Sequence, residues 1–305
     1  MDRILFIDAY NFIWLANVSF KPKKPQPIIV EGYENTNSFE APVSTEIKPV
    51  PPENVLIFNF FRNLRALVDP FAPHKIVFVL EGYPAFRYEL YADYKANRII
   101  KTASPSPSDT SRSEAKERFD KAKPEILRLL KMMPITQMKH PDYEADDVIG
   151  ALVEDSKEDD VIVVSNDSDY VQLTQMGYKQ FRLYSPSKKT MIQPPDYHYL
   201  TWKILHGDKK TDNIPGMMGD KTAQKLCKDP EKLKAWLAIE ENAARFRTNK
   251  LLIEFAKVPL EELEVEEGIT DWDGLKQEFE RLDFQSMIKP DYWKRFQKTF
   301  KTVKF

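Results

Sequence analysis

Apolar positions along the chain fall into two rhythms. Short β-branched runs with little polar interruption mark strands buried on both faces. Three stand out: RILFID over Arg3–Asp8, KIVFVL over Lys75–Leu80, and VIVVS over Val161–Ser165. Longer runs carry helical spacing. Val55–Val68, VLIFNFFRNLRALV, is apolar on most faces and predicts a largely buried helix. Ser113–Met133 sets Ile126, Leu129, Leu130 and Met133 at i, i+3, i+4 and i+7, with Pro124 expected to kink the helix or begin a second segment. A further helix opens at Tyr143-Glu144, and Phe181–Tyr184 and Thr190–Ile192 read as short strands around SPSKK. Tyr197–Leu205 is expected to be helical. From Asp229 the chain reads as helices, ending in a basic aromatic tail, YWKRFQKTFKTVKF, that suits a packed terminal helix.

Two stretches break the rhythm. Phe20–Pro52 is too rich in proline for helix or central strand and reads as a long flexible loop. Thr102–Arg112, TASPSPSDTSR, is of low complexity and is expected to be disordered in the free protein.

Strands alternating with helices predict an α/β fold with a mostly parallel sheet. In a βαβ unit the helix runs antiparallel to the strands, so its N-terminus meets the strands' carboxyl ends at the edge where such sheets bind ligands. That places Glu144, Asp146 and Asp147, in the first turn of one helix, near Asp167 and Asp169, which leave the strand ending at Ser165. Asp8 ends the first strand, Glu81 follows the second, and Asp208 and Asp212 add two acids farther on. An all-oxygen set selects hard cations such as Mg²⁺ or Mn²⁺ over zinc. Taken singly, each cluster is also what a capped helix or a solvated loop looks like; together they favour a metal centre.

Composition alters this picture in two respects. With 305 residues, 42% hydrophobic and 12% aromatic, the chain suits one large domain or two smaller ones, and its single Cys227 excludes an internal disulfide and a cysteine-rich metal site. No apolar run approaches the ~20 residues of a membrane span. MDRILFIDAYN carries an acid where a signal peptide keeps its apolar stretch clean. The expectation is a soluble, cytoplasmic monomer without a membrane partner. A net charge of −2 argues against a nucleic-acid partner only as an average: setting aside the nine candidate ligands leaves +7 on the rest. Phe86–Arg98, FRYELYADYKANR, interleaves aromatics with Arg87, Lys95 and Arg98, a composition that suits phosphates and bases and equally a tyrosine face packed on the core. Gly207–Lys225, GDKKTDNIPGMMGDKTAQK, offers a turn at Gly216 and Gly219 and a helix start at Asp220-Lys221-Thr222 whose N–H groups could grip phosphate.

The ordered set IDAYN, an acid after KIVFVL, YKANR, YEADD, SNDSD and GDKKTDNIPG with GDKTA resembles the flap endonuclease and 5′→3′ exonuclease family, most of all its phage 5′ nucleases, those with ribonuclease H activity among them. The resemblance covers roughly residues 1 to 260. It implies a PIN-like nuclease core over 1–195, including the loop 20–52 and a helical arch over 82–133. A helix-three-turn-helix that binds duplex and a helical C-terminal part would occupy 196–305. Carried residue by residue, it implies a first Mg²⁺ on Asp8, Glu81, Glu144, Asp146 and Asp147. A second falls on Asp167, Asp169 and the Asp208/Asp212 pair, with Mn²⁺ able to substitute. Lys95 and Arg98 fall in the catalytic positions at the arch base. Arg87, Tyr94, Gly216, Gly219, Lys221, Thr222 and Lys225 are expected to touch DNA, and a monovalent cation is expected at the hairpin.

Three departures from the family pattern stand out. Glu81 replaces the usual aspartate, Asp208 and Asp212 are four apart where three is common, and the PGMMGDKTA hairpin is shorter than the bacterial one. The implied activity is two-metal hydrolysis of phosphodiesters near a 5′ end, on a DNA flap, a nick or an RNA/DNA hybrid, alongside replication proteins, in a host's cytoplasm if the chain is phage-encoded. Two alternatives are a nuclease-dead DNA-binding protein on the same fold and a PIN-type ribonuclease acting on single-stranded RNA. A haloacid-type phosphatase is disfavoured because strand one carries DAY and lacks a second acid.

Overall fold

The computed structural model describes residues 2–18, 50–98 and 107–304. The expected loop over 20–52 lies almost wholly outside them, as do the first residues of the low-complexity stretch. The strands are β1 (Arg3–Asp8), β2 (Lys75–Leu80), β3 (Thr136–Lys139), β4 (Asp160–Val164), β5 (Phe181–Ser185), β6 (Thr190–Ile192) and β7 (Glu264–Glu267). They form one sheet in the order β6-β5-β4-β1-β2-β3-β7. The five inner strands are parallel, and the two edge strands, β6 and β7, are antiparallel.

The helices are α1 (Ala9–Val18), α2 (Val55–Phe71), α3 (Ala85–Leu90), α4 (Pro107–Leu130), α5 (Ala145–Asp155), α6 (Tyr199–His206), α7 (Asp220–Cys227), α8 (Pro230–Leu237), α9 (Glu240–Ile253), α10 (Trp272–Arg281) and α11 (Pro290–Thr299). Alternating strand residues feed two layers, as the two-residue period of a strand requires. Leu5, Ile7, Ile76, Phe78, Ile162 and Val164 join the core formed with α1, α2, α4, α10 and α11. Ile4, Phe6, Val77, Val79, Val161 and Val163 face Val148, Ile149, Leu152 and Val153 of α5. A smaller cluster holds Tyr94 against Ile204, Ile214, Leu252 and Ile253.

Four findings revise the sequence reading. α4 already begins at Pro107, inside the stretch expected to be disordered, and it runs on through Pro124 as one helix. β3 and β7 escaped notice because TQMK and EVEE carry no apolar run; β7 is exposed along its length, an edge strand protected by charge. The C-terminal segment does not stand apart from the core: β7 pairs with β3, and Phe279, Phe284, Phe296 and Phe300 sit in the same cluster as α1 and α2. A boundary at 195/196 would therefore cut through this core, since β7, α10 and α11 lie beyond it and Tyr199 of α6 packs on the sheet. No described helix is long and apolar enough to cross a membrane.

Candidate metal centre and nucleic-acid interface

Adjacency of β4, β1 and β2 creates the site. Asp8 is the last residue of β1, Glu81 follows β2, and Ser165-Asn166-Asp167 follow β4, so Asp8 stands between the other two acids at the carboxyl edge. Asp8 Oδ2 accepts from Ser165 Oγ at 3.1 Å, and its Oδ1 accepts from Asn11 N at 3.1 Å. α5 brings its N-terminus to the same edge, with Glu144 as the residue before the helix and Asp146 and Asp147 in its first turn. Gly82 makes this approach close. A Cβ there would lie 2.0 Å from the His140 carbonyl oxygen and 2.4 Å from that of Tyr143, so only glycine lets β2 exit against the loop before α5. Glu81 can then reach α5, its Oε2 accepting from Ala145 N at 2.8 Å. The extra methylene is thus absorbed by a contact with the helix N-terminus, where the dipole favours an anion.

The second group of acids is built by two loops. After β4, Asp167 Oδ1 accepts from Asp169 N at 2.9 Å. In the segment after α6, Gly207 has φ +75°, and a Cβ on it would lie 2.4 Å from the nitrogen of Gly216. The two glycines close the loop, and Asp208 and Ile214 form an isolated antiparallel bridge inside it. Asp208 and Asp212 both turn inward as a result. Carboxylate oxygens of Asp169, Asp208 and Asp212 lie within 4.8 Å of one another, as do those of Glu144, Asp146 and Asp147. The four-residue spacing brings both aspartates to the same group.

Crowded, buried acids resist ionisation. Burial, then the charges of Glu81 and Asp167, push Asp8 up to about 7. Burial likewise raises Glu81, Asp146, Asp167 and Asp212, reinforced by neighbouring acids. Glu144 and Asp208 go the other way. Burial alone would raise them, but Lys95 and Arg87 hold Glu144 down and Lys203 holds Asp208 down. These oxygen donors fit hard divalent cations in type and number, and a bound cation would relieve the repulsion that adds to burial in raising five of them.

Among the described residues, four cations answer the acids: Lys95, Arg98, Lys203 and Arg87. Lys95, with φ +57°, is held in the left-handed region, and its Nζ pairs with Glu144 and lies 4.0 Å from Asp212 Oδ1. It therefore bridges the two groups of acids, and its backbone conformation is the kind of local cost found at functional positions. Arg98 donates to Asp212 Oδ1 at 2.7 Å and to the Thr211 carbonyl oxygen at 3.2 Å. Lys95 N donates to the Asp212 carbonyl oxygen at 2.9 Å, and Asn97 reaches the carbonyls of Lys209 and Lys210. The base of the expected arch and the loop carrying Asp208 and Asp212 are thus one structure. Lys203 of α6, 4% exposed, pairs with Asp169 and, at 2.9 Å, with Asp208. Lys203 was not anticipated. Its one signal is a lysine one helical turn from Tyr199, on the buried stripe of α6.

Three expected site residues have other roles. Arg87, expected at the nucleic-acid surface, is 2% exposed, and its guanidinium is held by Glu144 and Asp147. Tyr94 is buried as well, and its hydroxyl donates to Glu144 Oε2 at 2.8 Å. Neither side chain faces a nucleic acid. Asp147, expected as a ligand, is fully buried, and its oxygens accept from both Arg87 Nη atoms, from Ala256 N at 2.7 Å and from Glu144 N at 3.3 Å. Four donors occupy the lone pairs a cation would need. Gly216, Gly219, Lys221, Thr222 and Lys225 are all exposed around the start of α7, with the two lysines one turn apart.

Comparison with known proteins agrees with this architecture. Residues 41–199 match the family described as 5′-3′ exonuclease, N-terminal resolvase-like domain. A 5′-3′ exonuclease of Aquifex aeolicus is 30% identical over 264 residues, covering 76% of this chain and 83% of that protein. DNA polymerase I of Streptococcus pneumoniae is 32% identical over 212 residues, covering 64% of this chain and 22% of the polymerase. Thermostable DNA polymerase I of Thermus aquaticus is 27% identical over 297 residues, covering 88% and 33%. This chain thus spans a third or less of the length of those polymerases. Among solved structures, the bacteriophage T5 flap endonuclease in complex with DNA and metal ions superposes with a TM-score of 0.59 at 15% identity, covering 97% of this chain and 99% of the other. Flap endonuclease-1 from Methanococcus jannaschii gives 0.56 at 14% identity, covering 99% and 92%. At these identities the likeness concerns the fold, a PIN-like α/β core.

Proposed function

This chain belongs to the 5′-3′ exonuclease family, and on that premise we propose that it is a structure-specific 5′ nuclease, cutting phosphodiesters at or near the 5′ end of a DNA strand with the help of Mg²⁺. The observation that carries the reading is the bridge made by Lys95, whose ammonium joins a group of acids at the sheet edge to a second group on the following loops. Asp8, Glu81, Glu144 and Asp146 would hold a first ion. Asp167, Asp169, Asp208 and Asp212 would hold a second. Mn²⁺ has the same ligand preference and is expected to substitute. When bound, such ions would make an attacking water more acidic and place positive charge on the phosphate and the leaving oxygen.

The chain's own groups do the rest. Lys95 and Arg98, now tied to Glu144 and Asp212, are the cations nearest the acids that still have some exposure, and they would turn to the scissile phosphate once those carboxylates have other partners. Lys221, Thr222 and Lys225, with the amides of the Gly216–Gly219 turn, would hold the duplex through its phosphates. Phosphate contacts carry no base code, so the chain would read structure in place of sequence. A 5′ flap, a nick or an RNA primer on DNA would be its substrate, with replication proteins in the cytoplasm as its setting. A panel of a 5′ flap, an RNA primer annealed to DNA and free single-stranded RNA tests the reading. Mg²⁺-dependent cleavage of the flap or the primed strand, without attack on free RNA, is expected. Cleavage of free RNA alone would move the protein to the PIN-type ribonucleases, and binding of the flap without cleavage would make it a DNA-binding protein.

A further inference from the structure

We infer that Arg87 is the positioning residue of the candidate metal centre: it fixes which oxygen of Glu144 faces the ions and ties the end of the duplex-binding helices to the helix that carries the ligands. This rests on the nuclease reading above and deepens it. Arg87 Nη1 donates to Glu144 Oε2 at 2.7 Å and to Asp147 Oδ2 at 2.6 Å, while Nη2 donates to Asp147 Oδ1 at 2.7 Å. The Tyr94 hydroxyl donates to the same Glu144 Oε2 at 2.8 Å. With two donors on Oε2, the remaining oxygen, Oε1, is the one that meets Lys95 beside Asp212. Glu144 is therefore presented to a cation by one oxygen only.

The same guanidinium reaches a third element. Nη2 lies 3.4 Å from the carbonyl oxygen of Glu254, the residue that caps α9, and Asp147 Oδ1 accepts from Ala256 N two residues later. α3 at the arch base, the first turn of α5 and the exit of α9 thus meet at one side chain. Arginine suits the place because a planar fork matches both oxygens of Asp147 and still leaves donors for Glu144 and Glu254, which a lysine's point charge does not.

Removing Arg87 alone strands a buried charge on Asp147 and can unfold the protein, so the test uses three variants of the full chain: Arg87→Lys, Tyr94→Phe, and Arg87→Met paired with Asp147→Asn. The pair removes both charges together and keeps an acceptor for Ala256 N. Melting temperature in EDTA, a Mn²⁺ binding isotherm, flap-DNA affinity in EDTA, and kcat and KM in Mg²⁺ are measured for each. The paired variant is expected to melt near wild type yet bind its tighter Mn²⁺ about tenfold or more weaker and lose a similar factor in kcat, with DNA affinity and KM within about threefold. Tyr94→Phe and Arg87→Lys move the same way by smaller factors. Wild-type Mn²⁺ affinity and kcat in the paired variant would overturn the inference, leaving Arg87 a packing residue. Should that variant not fold, unchanged Mn²⁺ affinity in both single variants would overturn it equally, and loss of DNA affinity alone would return Arg87 and Tyr94 to nucleic-acid contacts. A wild-type protein that binds Mn²⁺ but cuts no flap would defeat the nuclease reading, while the isotherms would still judge Arg87.

Discussion

Eight or nine carboxylates cannot share a small volume without cations, and in this chain the cations are chosen residue by residue. Lys203 sits in the group of Asp169 and Asp208, Arg98 on Asp212, Arg87 on Asp147 and Glu144, and Lys95 between the groups. Of these, Lys95 combines a strained backbone with contacts to both groups. Lys95→Ala is expected to lower kcat on a flap by about 10²-fold while leaving KM within about threefold, and equal losses in kcat and affinity would mean that Lys95 only binds. A second consequence concerns pH. Asp8, pushed up to about 7, and Glu81, Asp146, Asp167 and Asp212, raised in the same direction, favour the folded state most when protonated. Their contribution is complete below the unfolded carboxylate range and is lost as pH rises through the folded values. Glu144 and Asp208 have the reverse sign, and their contribution is lost only as pH falls below the unfolded carboxylate range. Between pH 5 and pH 8 the raised acids act alone, so thermal melts in EDTA are expected to show the protein losing stability across that range, and Mg²⁺ should restore it most at the alkaline end. The acids were legible in the sequence because they come in bunches, YEADD and SNDSD. Their partners were not, since FRYELYADYKANR reads alike whether Arg87 and Tyr94 meet phosphate or a buried carboxylate.

Elements decide where those residues meet. The order β4-β1-β2 sets three acid-bearing strand ends side by side, and Gly82 lets α5 close against them. Gly82→Ala puts a methyl into three backbone carbonyls, those of His140, Pro141 and Tyr143, and should cost about 2 kcal/mol or more, read as a lower melting temperature with weaker metal binding; a variant that melts like wild type would show that the contact relaxes freely. In the proposed complex α7 would take the other end of the substrate. Replacing Lys221 and Lys225 with alanine should weaken duplex binding evenly across sequences and reduce the slope of log K against log salt by roughly two, with single-turnover cleavage of bound substrate unchanged. An unchanged slope would take both lysines off the phosphate backbone. The inner strands β1, β2 and β4 were readable as apolar runs buried on both faces. β3 and β7 were not, since their stability comes from pairing with each other and with β2, which a local pattern does not record.

Over the whole molecule, the chain returns on itself. β7 completes the sheet beside β3, and α10 and α11 fill the core under α1 and α2, so the α/β core is closed by residues that lie after α6 to α9 in sequence. That closure links α6 to α9 to the sheet at both ends, and Arg87 and Asp147 tie the exit of α9 to α3 and α5. The α/β class was legible because buried apolar runs alternate with helical ones, and the gathering of acids at one sheet edge because Asp8, Glu81 and Asp167 each close or follow such a run. The closure was not, because the aromatic residues that make it are spaced like those of any terminal helix. The central claim, that both acid groups act together in metal-assisted cleavage, is tested most directly by one measurement: single-turnover cutting of a 5′-labelled flap by the wild-type chain, Asp146→Asn and Asp167→Asn, with Mg²⁺ added back after EDTA. The account predicts a short labelled product only from the wild type and only with Mg²⁺, while all three proteins bind the flap comparably. Cutting by either variant at near the wild-type rate, or cutting by the wild type in EDTA, would contradict it.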